Sequence, residues 1–132
     1  MLYRDIIKIE TKVNSFYNIT ERVSKVIEES RLRDGLCNIF VKGTTAGLLI
    51  NENDRMLIED FHRLLTELAP EDRMYQHPEN AHSHLRASML TNSITVPIAN
   101  AEMLMGTWQS ILMFEFDVAP RERELIITVY GV

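Results

Sequence analysis

The sequence predicts an α+β fold with a mostly antiparallel sheet, two longer helices and one short helix. Strand-like segments outnumber helical ones, and they do not alternate with helices in the regular order that a parallel sheet requires. Two stretches carry apolar residues at helical spacing, and the remaining apolar runs are too short or too β-branched to join them.

Each element has a local reason. Leu2 to Lys12 alternates loosely and carries Ile6, Ile7 and Ile9, which predicts a strand. Asn18 followed by Glu21 fits a capping box that opens a helix to about Arg33. Its inner stripe would be Ile19, Val23, Val26, Ile27 and Ser30, with Gly35 as the residue just past its end. Leu36 to Lys42 reads as a buried strand, Gly43-Thr44-Thr45 breaks it, and Ala46 to Asn51 is the next strand. A second helix is expected from about Asn53 to Leu68, on the stripe Leu57, Phe61, Leu64, Leu65 and Leu68. Pro70 closes it, and a polar loop leads to a short helix near His84 to Leu90. Ser93 to Ile98, an arm over Asn100 to Met105, Trp108 to Asp117 and Arg121 to Tyr130 complete the strands.

Size and composition narrow the function. A chain of 132 residues suits one domain with a real core, and no linker, repeat or low-complexity block divides it. Its apolar content of 45% and charged content of 25% are those of a soluble globular protein. A net charge of -5 without any Lys/Arg cluster argues against nucleic acid as a partner. No apolar run has membrane-spanning length, and Met1-Leu2-Tyr3-Arg4-Asp5 lacks a signal-peptide core, so a cytoplasmic location is expected. The sequon Asn18-Ile19-Thr20 is then coincidental. Cys37 is the one cysteine, set in an apolar run, and reads as a buried structural thiol.

The segment from Tyr75 to Arg86 points to a site, because it holds His77, His82 and His84, three of the four histidines. Imidazole is the commonest metal ligand and titrates near neutral pH. The spacing matches no standard zinc signature. His82 and His84 are two apart, about 200° around a helix, so one ion holds both only if the helix starts at or after His84. The alternative is three solvated histidines in a loop. His62 lies in the helical pattern and reads as ordinary surface.

Four segments carry a family resemblance. They are Gly35-Leu36 to Phe40-Val41 with Thr44-Thr45-Ala46-Gly47; Ile50-Asn51-Glu52-Asn53; Asn80 to Ser88; and Ser93 to Pro97 with Gly106-Thr107-Trp108-Gln109 and Glu115-Phe116-Asp117. In this order they resemble the YjbQ-type family, long uncharacterised and associated with a secondary thiamine-phosphate synthase activity. The resemblance spans nearly the whole chain. It implies a compact α+β homotrimer in which the histidine cluster often holds a metal ion. It also implies a reaction joining a hydroxymethylpyrimidine diphosphate to a thiazole phosphate. Two positions depart from the pattern: many members carry histidine where this chain has Gly43, and glycine where it has Asn100.

A candidate site follows from residue chemistry. His77, His82 and His84 would give three neutral imidazoles to a divalent ion with an open position, the arrangement of a catalytic ion. Three nitrogens suit zinc, nickel or iron, whereas pyrophosphate departure usually enlists magnesium, which prefers oxygen ligands; magnesium is the alternative. Glu52 would serve as ligand, outer partner or base, or simply as an acid favoured at a helix N-terminus. Glu79 reads as a solvated loop charge. Thr44 and Thr45 would offer hydroxyls and amides to a phosphate, and Arg86 a guanidinium clamp, unless it is a surface arginine. Gln109 is placed to orient a ligand and Trp108 to fill the core or a subunit interface. Glu115 alternates with apolar residues, so it is either solvated or buried against a cation. Two functions remain open: a metal-assisted enzyme acting on phosphorylated small molecules, or a non-catalytic homotrimer that binds a metal or metabolite.

Overall fold

The computed structural model describes residues 1–132 as two antiparallel sheets and three helices. The first sheet has the order β1 (Leu2–Glu10), β8 (Glu122–Gly131), β3 (Gly35–Val41), β5 (Ser93–Ala99) and β6 (Glu102–Met103). The second joins β2 (Phe16–Asn18), β7 (Ser110–Glu115) and β4 (Ala46–Asn51). Every strand pair is antiparallel, as expected.

Alternation along the strands decides which face is buried. Ile7 and Ile9, Cys37, Ile39 and Val41, Val96 and Ile98, and Leu125, Ile127 and Val129 all point inward from the larger sheet. They meet Ala46, Leu48, Ile111 and Met113 of the smaller sheet, and Val23, Val26 and Ile27 of α1 (Thr20–Ser30), in one continuous core. The opposite face of the smaller sheet is covered by α2 (Arg55–Leu68) and α3 (Ala81–Ser88) through Ile58, Leu65, Ala87, Leu112, Phe114 and Phe116. The smaller sheet is therefore the middle layer. That is why β7 is buried at every position from Ile111 to Glu115 and shows no polar alternation. Cys37 is fully enclosed, and burial pushes its thiol up to about 12.

Several local expectations are corrected. The turn before α1 is not a capping box: Asn18 belongs to β2, and its Oδ1 accepts from the Thr20 amide and hydroxyl. The left-handed residue that ends α1 is Arg31, at φ 61°, and not Gly35. Gly35 opens β3, where the Tyr130–Gly131 backbone leaves no room for a Cβ. The cap of α2 is Asp54, whose carboxylate accepts from the Leu57 amide at 3.0 Å. In the stripe expected for α2, Leu65 is buried but Leu64 and Leu68 stay half exposed, and Ile58 takes the deepest position instead. The short third helix begins at Ala81, three residues before the expected start.

The far face of the larger sheet remains open to solvent. Leu2, Tyr130 and Leu36 form one cross-strand row on it, and Ile6, Ile126 and Phe40 another. No helix is long and apolar enough to cross a membrane.

The β5–β6 hairpin closes on two residues, Asn100 and Ala101, both at positive φ (53° and 66°) between the paired Ala99 and Glu102. This is the tight mirror-image turn that suits strand twist, and asparagine is tolerated in it where alanine is not. Ala101→Gly is expected to stabilise the protein by about 1 kcal/mol, read as a higher urea midpoint at unchanged slope.

Candidate functional site

The site is framed by three pieces of chain that the fold brings together. The β3–β4 loop carries Gly43, Thr44 and Thr45, the segment before α3 carries His77 and Asn80, and α3 itself carries His82, His84 and Arg86. Helix α3 lies close on β4 because Gly47 faces Leu90 and the Ala87 carbonyl; a Cβ there would stand 2.9 Å from Leu90 Cβ. A backbone bridge between Leu48 and Thr91 fixes the far end.

Within that frame His77 and His84 meet edge to face, ring centroids 5.1 Å apart and planes at 87°. Together with Tyr75, Gln76, Ala81 and Leu85 they line an open cavity of about 420 Å³. His84 also forms a wall of a second cavity, about 380 Å³, with Gly43, Thr44, Ser88 and Asn92. Thr44 and His84 therefore share one space.

The tautomer of His77 follows from its partners. Asn80 Nδ2 donates to Asp117 Oδ1 at 3.4 Å, so Asn80 presents its Oδ1 to His77 Nε2 at 3.0 Å. A carbonyl oxygen only accepts, so Nε2 carries the proton, and in the neutral ring the lone pair is on Nδ1. Burial opposes the Asp117 charge, but the Val118 amide, Arg121 and Asn80 outweigh it and hold this carboxyl below its usual range.

Beneath the loop lies a buried ion pair. Arg123 grips Glu115 with Nε at 2.7 Å from Oε1 and Nη2 on Oε2, and Nη2 also donates to Thr45 Oγ1 at 2.7 Å. The Thr11 hydroxyl donates to Glu115 Oε1, and the Asp117 amide donates to Oε2. Glu115 is thus buried against a cation, one of its two expected alternatives. Asn80 and Asp117 stand in the resembling segments without a site role, and Arg123 in none of them. The signal for Arg123 was available, since it shares inward parity with Leu125, Ile127 and Val129.

Other expected site residues lie elsewhere. His82 is buried in α3 and its Nε2 reaches only Ser83 Oγ, at 3.5 Å. Because the helix starts at Ala81, His82 and His84 leave it in divergent directions. No three His, Cys, Asp or Glu side chains of the chain converge into a ligand group. Arg86 is no surface arginine; it is buried, and its Nε donates to the Ala69 carbonyl at 2.9 Å, bracing the end of α2. Thr45 is committed to Arg123, leaving Thr44 as the free hydroxyl of the loop. Glu52 and Gln109 sit at the opposite end of the β4–β7 ladder, whose register runs from Ala46↔Glu115 to Asn51↔Ser110. Five residues of strand put roughly 17 Å between those ends. There Glu52 flanks Trp108, which is 73% exposed and so no core residue, while Gln109 Oε1 accepts from the Gly106 amide at 2.8 Å. Glu79 is exposed, as expected.

In both inward-lying histidines the charged form is disfavoured. Burial and then the Arg86 charge lower the affinity of His62 and His82 for a proton, against a smaller opposing pull on His82 from Glu71 and Asp117. His62 is not ordinary surface, since it packs on Phe114 with ring centroids 5.4 Å apart. The sign for stability follows: as pH falls through 6.5 the unfolded chain takes up protons that the folded chain refuses, so stability drops in that window. Urea titrations between pH 7.5 and 5 should show this decline, and His62→Gln with His82→Gln should flatten it.

The whole chain has known counterparts. Residues 5–132 match the model of the family described as UPF0047 protein YjbQ-like. A UPF0047 protein of Methanothermobacter thermautotrophicus is 43% identical over 117 residues, covering 86% of this chain and 81% of that one. The UPF0047 protein YjbQ of Escherichia coli is 27% identical, covering 99% of each. Among solved structures, a YbjQ-like protein of unknown function from Sulfolobus solfataricus superposes with a TM-score of 0.95 at 32% identity, covering 100% of this chain and 99% of its own. An uncharacterised family protein from Clostridium acetobutylicum gives 0.90 at 34% identity, covering 96% and 99%. With a fold, a full-length match and relatives above 30% identity in agreement, this chain belongs to the YjbQ-like UPF0047 family.

Proposed function

We propose that the protein acts on a phosphorylated small molecule held between the histidine pair and the Gly43–Thr44 loop. The observation that carries the reading is the His77–His84 pair itself, 5.1 Å between centroids, with one ring's tautomer set by Asn80. An imidazole with a free Nδ1 takes a proton, and its neighbour at the mouth of the Thr44 cavity supplies one to a departing oxygen. The thiamine-phosphate synthase reaction of the resembled family falls in this class. There a carbon–oxygen bond to pyrophosphate breaks, a carbon–nitrogen bond to the thiazole forms, and the leaving phosphates need hydrogen-bond donors.

A divalent ion of the zinc class enters the proposal at two imidazoles only, His77 and His84, with its remaining donors from outside the chain or from substrate. A homotrimer is the proposed assembly, supported by the apolar rows Leu2–Tyr130–Leu36 and Ile6–Ile126–Phe40 on the open sheet face. One observation favours the non-catalytic alternative: Glu52 and Gln109 lie at the far end of the β4–β7 ladder, so Glu52 is no base for the histidine pair.

Two measurements decide. Protein purified without a tag and offered zinc should hold an ion that His77→Ala and His84→Ala each lose and His82→Ala keeps, by elemental analysis. Loss in His82→Ala alone, with the fold intact, would restore the three-histidine set. Turnover of hydroxymethylpyrimidine diphosphate with thiazole phosphate should fall at least about 100-fold in His84→Ala; absence of turnover on this and other phosphorylated substrates would favour the binding trimer.

A further inference from the structure

Arg123 is 6% exposed, yet one edge of its guanidinium has no partner inside the protein. Nε and both hydrogens of Nη2 are taken by Glu115 and Thr45, while Nη1 makes no hydrogen bond. No buried side-chain nitrogen or oxygen lacks a partner, so Nη1 reaches open space. That space is at Gly43. A Cβ placed on Gly43 would overlap Nη1 outright, with Cζ 3.5 Å away, and the residue sits at φ +120°. Gly43 is itself exposed and forms part of the wall of the 380 Å³ cavity with Thr44, His84, Ser88 and Asn92. The missing side chain is thus a window over a buried guanidinium.

We infer that Arg123, presented through the Gly43 window, is the anion anchor of the site, and that it takes a phosphoryl group of the ligand. This rests on the proposed function and supplies the residue that would hold its phosphate. Glu115 balances the charge of Arg123 but occupies the Nε/Nη2 edge, leaving two Nη1 hydrogens aimed outward with fixed geometry. Burial holds that fork rigid, so little side-chain freedom is lost when a ligand docks. The Thr44 hydroxyl and the Asn92 amide on the cavity wall supply donors for the remaining phosphate oxygens.

The probe is inorganic phosphate on the full-length protein. Calorimetry should show binding that weakens about tenfold or more in Gly43→Ala, whose methyl closes the window. Since Gly43→Ala also strains the loop, a second measurement uses the unaltered protein: phosphate should shift the Arg123 Nε–H resonance, assigned by its loss in Arg123→Lys. Equal phosphate affinity in the unaltered protein and folded Gly43→Ala, an unmoved Arg123 resonance, or no phosphate binding at all would each overturn the inference. Binding lost in His84→Ala but kept in Gly43→Ala would overturn it and leave the histidine reading intact. Phosphate seated on Arg123 in a protein without turnover would do the reverse.

Discussion

A carboxylate and a guanidinium sealed between two sheets organise more of this molecule than any apolar contact. Glu115 ends the central strand of the middle layer and Arg123 begins the long strand of the outer one, so their pairing pins the layers at one end. Glu115 also collects the Thr11 hydroxyl and the Asp117 amide, and Arg123 collects Thr45. Every remaining polar atom of the carboxylate is satisfied, which is the condition under which a buried pair is tolerated. Removing either partner alone leaves a stranded charge, and such losses run to about 3–5 kcal/mol. The same end of the fold carries the Thr44 loop, Asn80 and the histidine pair, so the site inherits its rigidity from this pair.

The fold was legible wherever one face of an element is buried and the other wet. The strand β8 alternates without error from Arg123 to Val129, and β3 from Cys37 to Val41. Boundaries were less legible where a polar side chain has two local uses. Asn18 reads as a helix cap but serves a strand-to-helix turn, while Asp54 does the capping one residue beyond the expected start of α2. In α2 the stripe pointed to Leu64 and Leu68, yet the helix is rolled toward Ile58 because Phe114 and Phe116 present their rings there.

The site was legible in composition and not in geometry. The histidine-rich segment was found, and so was Thr44. Spacing alone did not say that α3 starts at Ala81, which turns His82 into a helix-interior residue. Arg86 and Arg123 show the same difficulty from opposite sides. Both are buried arginines: Arg86 braces the Ala69 carbonyl through Nε, and Arg123 gives its Nε/Nη2 edge to Glu115 and Thr45. What places Arg123 at the cavity is Gly43, distant from it in sequence.

Cys37 is a buried residue of the main core. It lies on β3, between β8 and β5, where its thiol is fully enclosed and held protonated up to about pH 12. A thiol in that state is no nucleophile, so oxidants and alkylating reagents find nothing to react with while the sheet is closed. As the chain's one sulfhydryl, it becomes a built-in reporter. Its labelling rate measures how often the larger sheet parts at its central strands, a clock for opening that needs no engineered probe.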